Sequence, residues 1–168
     1  MTDTLLMTVS ATVLDKALAL LPVKMDIPAA RVQLLATGLQ ESGLTKRVQV
    51  INGGGRGPAR GLWQNEQGGG VRGVLNHEAS HVLALKVCAA RDVAPTSAAV
   101  WARMEFDDIL AAAFARLLFF TDPKPLPAVD DADAAWALYL RVWRPGKPKP
   151  DTWPGFHARS RTFVLGAP

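Results

Sequence analysis

The chain has a single cysteine, Cys88, so no internal disulfide can form and packing must supply the stability. Cys88 lies in the mostly apolar run Leu83–Ala90, which predicts a buried, inert thiol. Tyrosine is equally scarce: Tyr139 is the only one, and the dominance of alanine and leucine favours helices over sheets. No apolar run is long enough to span a membrane; Ile109–Phe120 is short and interrupted by Arg116, so stable membrane insertion is not expected. There is no block of like charge of the kind found in nucleic-acid-binding tails, although the balance is basic, with 19 Lys plus Arg against 15 Asp plus Glu. Nucleic acid is therefore not an expected partner. Met1-Thr2-Asp3 places no basic residue before the first apolar ones, so a cleaved secretory leader is not expected either. Aspartate is missing from the whole stretch between Asp26 and Asp92.

What the sequence does contain is helical patterning. Its 168 residues suffice to bury a core without metals or disulfides. Thr12–Leu21 is amphipathic and ends at Pro22. Asp26 suits the N-cap of a second helix, with Pro28 in its first turn, running to about Ser42. The glycine-rich segment Gly43–Gly70 is strand-like at Arg47–Ile51 and Gly61–Glu66. Helical pattern returns from Val71 to Ala90 and from Thr96 or Ser97 to about Phe120. After the Pro-rich connection Asp122–Pro127 it returns again over Asp130–Val142. From Arg144 onward, closely spaced prolines predict an extended strap over 145–168. The predicted fold class is α+β, mainly α: one helical domain, residues 1–168, interrupted by a glycine-rich β-hairpin after the second helix.

Helical spacing puts Ile27, Leu34, Gly38 and Glu41 on one face. Apolar surroundings and the negative end of the helix dipole both disfavour a charged carboxylate at Glu41. The same residue alone would read as an ordinary solvated glutamate at a helix end; its downstream context separates the two. A raised pKa is what a carboxylic acid needs to donate a proton near neutral pH.

Gln40-Glu41-Ser42-Gly43, followed by Gly57-Pro58-Ala59-Arg60-Gly61-Leu62-Trp63-Gln64, resembles the lytic transglycosylase and lysozyme superfamily, including its phage-encoded members. There a Glu-Ser pair ending a helix is followed by a strand reading Gly-Ala-x-Gly-Leu-Met-Gln. Ala59, Gly61, Leu62 and Gln64 match, and Trp63 replaces the methionine. The resemblance implies a lysozyme-like fold that cleaves the MurNAc-GlcNAc bond of peptidoglycan glycan strands without a cofactor. It implies Glu41 as general acid and Gly61, Leu62, Trp63 and Gln64 lining the sugar cleft. Ser42 and Gln49 would orient the carboxylate. Tyr139 would stand for the family's cleft tyrosine, or else pack in the core. A phage origin would add virion proteins as partners. It would also place the chain in a virion or host cytoplasm, acting on the periplasmic wall after delivery by a holin or the virion.

Two departures bear on mechanism. The family's later Asn-x-Gly segment is not recognisable, and no aspartate follows shortly after the glutamate. Glu66 is the nearby candidate for a second carboxylate. Facing the cleft it would support hydrolysis; facing solvent it would leave Glu41 to act alone, with an anhydro product. A non-catalytic, wall-binding virion protein of the same fold is the alternative.

His77-Glu78-Ala79-Ser80-His81 also satisfies the zinc-peptidase pattern H-E-x-x-H. On a helix, His77 and His81 would share a metal, with Glu78 as base and Glu105 as third ligand. Asn76 and Ser80 make that segment polar, and Glu105 sits beside Asp107 and Asp108 like part of an acidic face, so no metal site is expected, and a zinc metallopeptidase through His77, Glu78 and His81 stands as the second alternative. Trp101, Trp136 and Trp143 read as core. Arg141, Arg144, Lys147 and Lys149 read as a solvated basic strap, with a grip on anionic polymer as the alternative.

Overall fold

Pro28 and Gly43 bracket the helix on which the molecule is organised. In the computed structural model, which describes residues 3–166, helices α1 (Thr4–Val9) and α2 (Asp15–Leu18) are joined by the π-helical turn Ser10–Leu14 into one rod. The leader reading at Met1-Thr2 and the end of the expected strap lie outside the described residues. The rod starts earlier than Thr12 because the Asp3 carboxylate caps it, accepting from the Leu6 amide at 3.2 Å.

The central helix α3 (Pro28–Ser42) begins at proline, whose missing N–H costs nothing there, and ends where Gly43 turns left-handed at φ +65°. Its N-cap is Ile27, not Asp26. Asp26 is instead engaged by the Arg31 guanidinium at 2.6 and 2.8 Å, and Arg31 also reaches Asp15 at 2.7 Å. Ile27 is 40% exposed and so leaves the face expected of it, whereas Val32 to Leu39 are buried throughout.

The segment after α3 is a three-stranded antiparallel sheet of β1 (Val48–Val50), β2 (Arg56–Arg60) and β3 (Asn65–Glu66), in that order. The expected hairpin paired Arg47–Ile51 with Gly61–Glu66. The actual partner of β1 is β2, and Gly61–Gln64 is the turn between β2 and β3. Left-handed backbone at Gly61 (φ +74°) and Gln64 (φ +50°) reverses the chain there.

The helix expected over Val71–Ala90 is broken. A π-helical turn, Gln67–Val71, leads into α4 (Arg72–Asn76), the chain extends at His77, and α5 spans His81–Ala90. Ser80 Oγ, buried at the break, donates to the Val74 carbonyl at 2.8 Å. The next expected helix is also two: α6 (Ser97–Arg103) and α7 (Asp108–Phe120). Asp107 makes that break, capping the Leu110 amide at 3.0 Å while buried against Arg91 at 2.9 Å. Leu110 to Phe119 are buried, making α7 the core helix. Within it the Arg116 guanidinium donates to the Met25 carbonyl at 3.0 Å, and burial pulls its pKa down to about 10.

Helix α8 (Ala132–Trp143), capped by Asp131, falls where expected. The strap does not. Only a short Pro-rich loop follows α8 before a 3₁₀ turn at Pro150–Thr152 and a final helix α9 (Trp153–Leu165), which packs along α3 and buries Trp153, His157 and Ser160. Pro154 lies in its first turn, where proline is tolerated. The architecture is thus α+β and mainly α. Among the described residues no helix is long and apolar enough to cross a membrane.

Candidate active site

Glu41 occupies the last turn of α3, one turn beyond Gly38. A Cβ at Gly38 would collide with the Leu44 side chain and come within 3.2 Å of Trp63 Nε1, so only glycine lets the core close there. Trp63 is wholly buried and its indole donates to the Leu34 carbonyl at 2.8 Å. Leu62 is buried as well, and its carbonyl accepts from Ser42 Oγ at 2.6 Å. Gly61 is pressed against α7 and the C-terminal end of α6; a Cβ there would meet Ala111 Cβ and the Met104 carbonyl at 3.0 Å.

These contacts correct four expectations. Gly61, Leu62 and Trp63 do not line a cleft; they clamp the end of α3 from behind. A buried indole needs a partner for its N–H, and the α3 backbone supplies it. Ser42 bonds to the turn and to the Leu44 amide, not to the Glu41 carboxylate.

Tyr139 comes from α8, and its hydroxyl donates to Glu41 Oε1 at 2.5 Å. The ring lies between Trp136 and Trp153, with centroids 5.1 and 5.3 Å away. Trp153 is itself tied to the Ala132 carbonyl at 2.9 Å. The phenol is therefore both packed and pointed at the carboxyl. Burial pushes the Glu41 carboxyl up to about 7, the Glu66 charge adds to the rise, and the Tyr139 hydrogen bond opposes it. Burial, with the adjacent Glu41 carboxylate, pushes the phenol's own pKa up as well, so it remains a donor.

Glu41 and Tyr139 open onto a groove of about 860 Å³. The sheet contributes Gln49, Gln64 and Glu66 to its lining, and the loop after α8 contributes Arg144 to Lys149. Glu66 is exposed at the end of β3 and faces this groove. The Gln49 carboxamide fills the space where a side chain at Gly57 would be. Gln64, left-handed, donates from Nε2 to the Gly61 carbonyl at 2.9 Å. The structure therefore gathers Glu41, Glu66, Gln49, Gln64 and Tyr139 in one groove.

Sequence reasoning missed four contributors. Asn65, 3% exposed, also lines the groove, with its amide nitrogen buried and without a partner. Its signal was adjacency to Gln64. Trp136 and Trp153 frame the tyrosine, Trp153 buried and Trp136 half-buried against the same apolar cluster. Trp143 is half-buried too, lining the groove while its ring lies 4.7 Å from Phe119. Trp101 lies half-buried elsewhere, covered by the Arg60 guanidinium at 4.4 Å and bonded to the Pro58 carbonyl at 2.7 Å.

The H-E-x-x-H segment is not a helix turn. His77 is extended and its Nδ1 accepts from the Ala79 amide at 3.1 Å, while His81 Nδ1 lies 2.6 Å from the Leu75 carbonyl. Glu105 is committed to Arg56 and Arg60. Among the described residues, no group of three His, Cys, Asp or Glu side chains has a metal-binding arrangement. Cys88 is buried, which pushes its thiol pKa up. Compared with family models, curated proteins and solved structures, the chain has no match.

Proposed function

We propose that the groove binds a peptidoglycan glycan strand in a lysozyme-like manner and hydrolyses its MurNAc-GlcNAc bond, with Glu41 as general acid. The observation that carries this reading is a carboxyl raised to about 7 and held by a buried tyrosine at an open polar groove.

The chemistry follows from the arrangement. With Oε1 occupied by the Tyr139 hydroxyl, the Glu41 proton is carried on Oε2 and passes to the glycosidic oxygen as the C–O bond breaks. The resulting carboxylate is stabilised by the same phenol. Glu66, exposed in the open part of the groove, is the second carboxylate; it offsets positive charge on the sugar ring and activates water. Gln49 and Gln64 line the groove, and the amide atoms their own hydrogen bonds do not use, Gln49 Nε2 and Gln64 Oε1, suit the acetamido and hydroxyl groups of the strand. A phage lysis or entry role, with delivery by a holin or the virion and virion proteins as partners, accompanies this reading through the sequence resemblance alone.

The test is incubation of purified sacculi with the protein, followed by mass analysis of the soluble products. Muropeptides with free reducing ends are expected. Anhydro ends would remove Glu66 from the mechanism, and no release at all would retire the reading.

A further inference from the structure

Beyond α8 the chain turns at Arg144, left-handed at φ +50°, into Pro145-Gly146-Lys147-Pro148-Lys149. Arg144, Lys147 and Lys149 line the same groove as Glu41 and Glu66. All three are exposed, and among the described residues none forms an ion pair. Their neighbour Arg141 differs: Asp122 neutralises it at 2.8 Å. The basic residues thus divide into one that is spent on the fold and three that face the groove.

The loop carrying them is fixed in place. At one end the Trp143 indole donates to the Trp63 carbonyl at 3.1 Å. At the other, Gln40 Nε2 donates to the Lys149 carbonyl at 3.1 Å, and Thr152 Oγ1 donates to Gln40 Oε1 at 2.9 Å. Gln40 precedes Glu41, so the loop is pinned to the residue next to the acid. Prolines at 145 and 148 restrict the backbone between these anchors, which lowers the entropy lost when the cations engage a ligand.

Neutral sugars need no such charge. In a peptidoglycan strand the negative groups nearest the backbone are the carboxylates of the stem peptides carried by the muramyl residues. We infer that Arg144, Lys147 and Lys149 form a subsite for stem-peptide carboxylates, making the groove selective for peptide-bearing strands over uncharged glycan. This rests on the glycan reading above and adds to it a specificity determinant. Exposed ion pairs are individually weak, and three together amount to a preference on the order of tenfold.

Binding, not turnover, is the test, in a Glu41→Gln background. Soluble glycan strands with intact stem peptides, the same strands stripped by an amidase and then amidated at the lactyl carboxylates that stripping frees, and a soluble polyphosphate are titrated against it. The expected result is about tenfold tighter binding of the peptide-bearing strand, a ratio that falls toward one when Arg144→Gln, Lys147→Gln and Lys149→Gln are added. Lys147→Glu, a single exposed change, moves the ratio the same way and frees the test from the folding of the triple variant. Equal affinity for the two strands, or a ratio that ignores the substitutions, overturns this inference alone. Polyphosphate binding tighter than the peptide-bearing strand also overturns it. Binding to neither strand overturns the glycan reading together with it.

Discussion

The Tyr139 hydroxyl donates to Glu41 Oε1 at 2.5 Å across a sequence separation of 98 residues. One partner ends α3 and the other projects from α8, and Trp153 of α9 backs the tyrosine ring. The acid is therefore set only when three helices have docked.

Tyr139→Phe removes a donor that favours the charged form of Glu41, so the carboxyl pKa rises further from about 7. A hydrogen bond of ordinary net worth corresponds to roughly half to one pH unit. A general acid works protonated, so the alkaline limb of the kcat–pH profile moves to higher pH. The maximal rate falls because the carboxyl is no longer held. A limb that stays in place contradicts this role.

Glu41 also sets a pH dependence of stability. Its usual value is 4.5 and its folded value about 7, so the folded state holds the proton more tightly. That contribution is present below pH 4.5 and is lost as pH rises through 7. Glu41→Gln removes the cost of burying the charge. Urea unfolding should show the variant more stable than wild type by about 1–3 kcal/mol near pH 8, with the difference vanishing in acid. A pH-independent difference would place the carboxyl in solvent.

Trp63 separates a structural indole from a sugar-stacking one. Trp63→Phe keeps most of the packing but deprives the Leu34 carbonyl of its donor, and costs about 1–3 kcal/mol of unfolding free energy. KM for the strand does not change, because the ring is wholly buried. A raised KM with unchanged stability would put the indole in the groove.

The broken helix at His77 gives the fourth expectation. His77→Ala with His81→Ala, and separately EDTA, leave muropeptide release intact, since the two imidazoles do not share a helix turn. Loss of release in both tubes would return the zinc reading.

Much of the site could be read from local signals. Pro28 and Gly43 announce α3, the glutamate at its end follows from the helical period, and Asp131 marks the start of α8. What escaped depends on remote partners. Gly61–Gln64 resembles a strand until the left-handed conformation at Gln64 is known, and no local residue requires it. The direction of Trp63 is decided by the gap at Gly38, and the helix break at Asp107 by Arg91. The prolines at 145, 148 and 150 concealed α9, whose own start signal is only Pro154; packing against α3 makes that helix. In the sequence the charged loop has the look of a solvated strap, because its anchors, Gln40 and Trp63, are distant along the chain.

The most direct test compares initial rates of soluble muropeptide release from purified sacculi by wild type and Glu41→Gln, both confirmed folded, below pH 7. Loss of a general acid predicts a rate lower by about 10²–10⁴-fold with strand binding retained. Equal rates from the two proteins would contradict the assignment of Glu41 and, with it, the central claim.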